Sequence, residues 1–119
     1  MIQFTIPGTP ISVNHMYHSR GKIRFLCKEG KEYKEKVAKI ANNTSKPTDF
    51  DSKSKKIVMK IDYYFGDLRR RDCSNYDKGI LDSLSKILYD DDSQIKRLTL
   101  EKFIDKVNPR VEVTLDILK

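Results

Sequence analysis

The sequence predicts an α+β domain in which two helices pack on one mixed or antiparallel sheet. Three observations carry that expectation. Ile57, Met59, Ile61, Tyr63 and Phe65 alternate along the chain, as do Val111, Val113, Leu115 and Ile117, which is the period of a half-buried strand. Tyr33, Val37, Ile40 and Ala41 share one helical face, and Ile80, Leu81, Leu84, Ile87 and Leu88 share another. The length of 119 residues suits one compact domain spanning 1–119.

Ile2, Phe4 and Ile6 alternate before Pro7-Gly8, which predicts a short first strand ending in a turn. From Pro10 to Cys27 the chain reads as an ordered arm or hairpin around Ser19-Arg20-Gly21, with Met16, Tyr17 and Phe25 available either to the core or to an interface. A first amphipathic helix is expected over Glu29 to Asn42. The segment Asn43 to Lys56, rich in Ser, Thr, Asp, Lys and Pro, is expected to be a surface connection. After the strand ending at Phe65, a second helix is expected, with Asn75, Lys78, Asp82 and Lys86 close together on its polar face. Gln94 to Ile104 and Arg110 to Leu118 then favour strand, with Asn108-Pro109 in the turn between them.

Composition excludes several classes. The first residues lack a charged leader and a long apolar run, and no later segment is long enough to span a bilayer, so a soluble, cytoplasmic protein with no membrane partner is expected. His15, His18, Cys27 and Cys73 do not supply paired zinc ligands at finger-like spacing, and two cysteines are not a disulfide framework.

The formal net charge is +7, which favours a polyanionic partner. Its distribution is more telling. Between Asp72 and Asp92 six aspartates face only Lys78 and Lys86, a local balance of −4 that leaves +11 on the rest of the chain. Asp90, Asp91 and Asp92 follow the expected second helix, at the end of the dipole that disfavours anions. Asp72 lies at the opposite end, where the dipole favours it with or without a metal. Ser74-Asn75-Tyr76-Asp77 fits a capping box, with Ser74 as N-cap and Asp77 at the third helical position. A helix of the expected length would separate the two acidic sites by about 20 Å, so the following loop must fold Asp92 back toward Asp72 if they are to share an ion.

The run Arg70-Arg71-Asp72, Asn75, Lys78 and Asp82, followed by Asp91-Asp92-Ser93-Gln94, resembles the signature of the RusA-type crossover junction endodeoxyribonucleases. Pro10-Ile11-Ser12-Val13-Asn14 resembles their N-terminal Pro/Ser/Asn element, and the order of elements agrees over nearly the whole chain. The resemblance implies a homodimeric, Mg²⁺-dependent enzyme, with Mn²⁺ as a substitute, that resolves four-way DNA junctions by symmetric nicks in bacteria or phage-infected cells. It also implies that Asp72 and Asp92 hold metal and that Lys78 takes part in catalysis; Asp91 is a candidate for a further metal ligand. Ser74, Asn75 and Asp82 would support that set from behind. Arg69, Arg70, Arg71, Lys22, Arg24 and Asn14 would contact DNA. Ser74 departs from the family pattern, which carries an aspartate there; the change keeps a capping hydroxyl but gives up a charged oxygen ligand. Asp91 binding the metal directly, Ser74 holding a metal-bound water, or a site using one ion would each make up for it. A DNA-binding protein that has lost cleavage through Ser74 is the alternative reading, and a small α+β protein acting through protein partners is a second.

Overall fold

The computed structural model describes residues 1–46 and 55–118. Strand β1 (Ile2–Pro7) leads into a single helical turn, α1 (Val13–Met16), and then the hairpin β2 (Tyr17–Arg20) and β3 (Ile23–Leu26). Helix α2 (Lys28–Asn43) follows, then β4 (Ile57–Phe65), helix α3 (Asp77–Leu84), β5 (Ile95–Ile104) and β6 (Arg110–Ile117). The main sheet has the order β1-β6-β4-β5, and the hairpin forms a second sheet of its own. The expected surface connection falls mostly on residues 47–54, outside the described residues.

The sheet is mixed. β6 runs antiparallel to both β1 and β4, whereas β4 and β5 are parallel and need a crossover, which α3 and its flanking loops supply. Register follows the hydrophobic pattern, since a slip of one residue would turn every buried side chain to solvent. One row therefore crosses all four strands, with Phe4 beside Val113, Val113 beside Ile61 and Ile61 beside Leu100. Its first three members are buried, and Leu100 at the sheet edge is half-buried. α2 contributes Tyr33, Val37 and Ala41 to the same core, and α3 contributes Ile80 and Leu84. The other sheet face is half-exposed and polar, and carries Arg110, which pairs with Asp105 and Glu112 at 2.7 Å each and lies over the Tyr64 ring.

Three local expectations change. α1 was not anticipated, because one turn is too short to show a period; it places Met16, fully buried, against α2 and α3. The hairpin turns at Gly21-Lys22, with Arg20 paired to Ile23 and Gly21 at φ 63°, the left-handed conformation that glycine adopts without cost. α3 stops at Leu84, so it is about 12 Å long. Lys86 takes a left-handed φ of 72° and the chain doubles back, which buries Leu88 through a turn where a longer helix was expected. Ile87 and Leu88 both donate their N–H groups to the Leu84 carbonyl.

Candidate active site

The acidic segment occupies the crossover between the two parallel strands. At its start the expected Ser74 capping box is absent. The chain enters a 3₁₀ turn (Cys73–Asn75) first, in which Asn75 N–H donates to the Asp72 carbonyl and Tyr76 N–H to that of Cys73, both at 3.0 Å. Tyr76 then stands before α3, and no side chain caps that helix. Packing sets this entry: the Tyr76 ring lies 5.8 Å from Tyr63 and 5.1 Å from Phe65. Asp72, Ser74 and Asn75 remain exposed.

The capping box forms instead at the far end of the crossover. Asp91 precedes a second 3₁₀ turn (Asp92–Gln94); its carboxylate accepts from Ser93 N–H at 3.0 Å, and the Gln94 side-chain oxygen accepts from the N–H groups of Asp91 and Asp90. Gln94 also donates to the Lys55 carbonyl at 2.8 Å, tying the loop to the start of β4. The Ser93 hydrogen bonds, the largest cause, lower the Asp91 pKa from its ordinary value. The signature was present in the sequence as Asp91-Asp92-Ser93-Gln94.

Asp92 is held differently. It is half-buried, and its Oδ1 is buried among the described residues without a hydrogen-bond partner. Burial raises its pKa, the charges of Asp82 and Asp91 add to that, and Tyr89 and Lys78 act against it. The Tyr89 hydroxyl has one proton, which goes to the Leu81 carbonyl at 2.9 Å, so it cannot fully satisfy the carboxylate beside it. A carboxylate in that state attracts any cation able to reach it.

Lys78 and Asp82 face this acid from α3. They are one turn apart, with Lys78 Nζ 3.2 Å from Asp82 Oδ2. The same oxygen accepts from the Tyr17 hydroxyl at 2.7 Å. Lys78 Nζ lies 5.5 Å from the centre of the Tyr17 ring, and the Arg24 guanidinium lies 5.2 Å from it. The structure thus brings Lys78, Asp82, Asp91 and Asp92 together and adds Tyr17 and Arg24 from the hairpin. Asp72 is not tied into this network: among the described residues its side chain makes no hydrogen bond or ion pair, and no three His, Cys, Asp or Glu side chains converge closely enough to cage an ion. Tyr17 and Tyr89 were not singled out for the site from sequence: Tyr17 meets Asp82 only once the chain is folded, whereas Tyr89, three residues before Asp92, was missed although it adjoins the acidic run.

The cations divide into committed and free. Arg71 is spent on the fold, paired with Asp67 at 2.8 Å and stacked 4.4 Å over Phe65. Arg69 is mostly exposed and touches Asp67 more loosely at 3.6 Å. Arg70, Lys22, Arg24 and Asn14 are exposed. Thr9, Pro10, Ser12 and His15 line one groove of about 320 Å³ with the three arginines and Tyr76, so the N-terminal element and the arginine run form one surface.

The family model described as Endodeoxyribonuclease RusA matches residues 7–116 of this sequence. The chain belongs to the RusA family. Among its relatives, the crossover junction endodeoxyribonuclease RusA of Escherichia coli K12 is 28% identical over 112 residues, covering 93% of this chain and 90% of the relative. The protein of the same name from Enterobacteria phage 82 is 27% identical over the same shares. The uncharacterized protein YqaN of Bacillus subtilis is 31% identical, covering 96% of this chain and 94% of its own. RusA-family membership fits the α+β architecture, and no helix among the described residues is long and apolar enough to cross a membrane.

Proposed function

We propose that this chain is a Mg²⁺-dependent endodeoxyribonuclease that resolves four-way DNA junctions by paired symmetric nicks, in the cytoplasm of a bacterium or phage-infected cell. The observation that carries the reading is Asp92, a half-buried carboxylate with an unpartnered oxygen, set near Lys78 and Asp82, the latter tied to the basic hairpin through Tyr17. Names of relatives from Escherichia coli and a phage support the substrate class.

The donors available fit a hard dication, because all are carboxylate oxygens and one lacks any other partner. Asp92 and Asp72 would hold Mg²⁺, or Mn²⁺ in its place, with Asp91 offering the oxygen not used in its cap. Mg²⁺ is commonly held by one or two carboxylates completed by water and substrate phosphate, so a full protein cage is not required. Bound there, the ion would neutralise phosphate charge and lower the pKa of attacking water. Lys78 supplies a cation at the reacting phosphate, where added charge develops. Asp82 keeps Lys78 on that side of α3, and Tyr89 and the core behind Asp92 exclude water from its inner face. Arg69, Arg70, Lys22 and Arg24 bind flanking phosphates, with Asn14 beside them, and set the register of the strand. Two nicks related by symmetry need two such sites, which a C2 homodimer supplies.

The test is a labelled four-way junction mixed with the full chain and Mg²⁺, Mn²⁺ or Ca²⁺. Paired nicks at symmetric positions with Mg²⁺ or Mn²⁺ are expected, with binding but no cleavage in Ca²⁺. Tight binding with no nick under any of the three metals would identify a binding protein that lost hydrolysis with Ser74, and absent or salt-insensitive binding would point to protein partners instead.

A further inference from the structure

The hairpin and the acidic crossover are distant in sequence, yet one oxygen joins them. Asp82 Oδ2 receives the Tyr17 hydroxyl at 2.7 Å and Lys78 Nζ at 3.2 Å. An isolated Lys–Asp pair one turn apart on an exposed helix face is weak and mobile. Here the carboxylate cannot rotate freely, because a second donor from another element holds the same oxygen. Lys78 has one further constraint, the Tyr17 ring 5.5 Å away. The ring and hydroxyl of one tyrosine thus bound the lysine from two directions. Burial and the neighbouring Asp82 push the Tyr17 pKa up to about 12, so the hydroxyl keeps its proton and remains a donor under all working conditions.

Tyr17 also reaches outward. Arg24, paired across the hairpin with Ser19, lies 5.2 Å from the same ring, and Arg20 and Lys22 are exposed at the hairpin tip. A phosphate drawn to these cations therefore pulls on the strand that carries Tyr17.

We infer that Tyr17 is a positioning residue that, through the shared Asp82 oxygen, fixes the ammonium of Lys78 toward the reacting phosphate and couples that position to the hairpin. The inference rests on the proposed reading in which Lys78 is the catalytic cation, and it adds a residue outside the acidic crossover to the machinery.

The test has two arms, both on the full chain. In the first, side-chain NMR of the ¹⁵N-labelled free protein follows the Lys78 ammonium, which should stand apart from the exposed lysines in wild type and move toward them in Tyr17→Phe. An unchanged Lys78 signal in that variant overturns the inference, whether or not the protein is a nuclease. In the second, single-turnover cleavage of a four-way junction in Mg²⁺ should slow about ten-fold in Tyr17→Phe, with junction Kd in Ca²⁺ within about two-fold and an unchanged Tm. In an Asp82→Asn background the same substitution should cost less than about two-fold, because the path to Lys78 is already broken. Losses that multiply in the double variant, or a Kd that weakens as much as the rate falls, overturn it by making Tyr17 a DNA contact or a structural prop. A wild-type chain that cuts no junction removes the nuclease reading alone, since the first arm still decides the clamp.

Discussion

Asp92 sets stability against activity within one side chain. Its carboxylate is half-buried, raised in pKa by burial first and by Asp82 and Asp91 next, and its Oδ1 has no hydrogen-bond partner. Asp92→Asn removes a poorly solvated charge, so the metal-free protein should melt no lower than wild type and junction binding should hold or tighten. Cleavage should fall by at least about 100-fold, the order expected when a group that stabilises the transition state is lost. Calorimetry and a nicking assay on the same preparation check both signs. Ser74 is the second residue of interest, because it is exposed, caps nothing and stands where the family pattern has an acid. Ser74→Asp should raise the cleavage rate at low Mg²⁺ if a ligand is missing; equal rates across a Mg²⁺ titration would show that the site is complete without it. At this scale several of the side chains that the structure gathers were legible, whereas Asp72, also read as a metal ligand, is tied to them by no hydrogen bond or ion pair among the described residues. Lys78, Asp82, Asp91 and Asp92 were identified as site candidates, and their gathering into one cluster follows from α3 and the second 3₁₀ turn. Tyr17 was not, since it meets Asp82 only across the fold; Tyr89 was missed although its contacts with Leu81 and Asp92 are local.

Single elements explain where local patterns were followed and where they were overridden. β4 was readable from 57 to 65 because its alternation coincides with burial at every second residue. α3 was overestimated because Leu88 is buried either by a longer helix or by a chain that turns back, and apolar spacing cannot distinguish the two. The capping box moved from Ser74 to Asp91 because aromatic packing by Tyr76, which no local motif encodes, decides how the chain enters α3. α1 is held by close approach. A Cβ on Gly30 would collide with the Met16 carbonyl oxygen, and one on Gly79 with the Met16 sulfur. Backbone cannot yield as a thioether can, so Gly30→Ala should destabilise by about 3 kcal/mol and Gly79→Ala by about 1–2 kcal/mol, within the range of overpacking costs. Urea unfolding of both variants tests that order. The β5–β6 turn gives a pH signature. Asp105 accepts from Arg110 and from the N–H groups of Val107 and Asn108, and these hydrogen bonds, Arg110 first, lower its pKa. A depressed folded pKa contributes stability above the unfolded value near 4 that is lost as pH falls through the folded one. Acid titration of Tm should therefore be shallower below about pH 4 in Asp105→Asn than in wild type.

For the whole molecule, charge separation is the main organising feature. The acidic crossover lies between β4 and β5, and the exposed cations lie on the hairpin and the arginine run that border it. DNA affinity should therefore fall linearly with the logarithm of salt concentration, and replacing Lys22, Arg24 or Arg70 by Ala should each reduce that slope by about one phosphate contact. Arg71→Ala should act instead through stability, because that side chain is only 14% exposed and bound to Asp67. A fluorescence binding series at several salt concentrations, with Tm measured alongside, separates the two classes.

The strand order also bears on biosynthesis. β6 follows every other described element in the chain, yet it occupies an interior place between β1 and β4, pairing Ile2 with Leu115 and Ile61 with Val113. On a ribosome the amino-terminal strand emerges early and must wait for a partner encoded more than a hundred residues later. Such distant pairing is slow to nucleate. A nascent polypeptide lacking β6 would hold the aspartates of the crossover and the arginines of the hairpin and the 69–71 run without the scaffold that gathers them, so competence for DNA cutting would arise only after translation has passed β6.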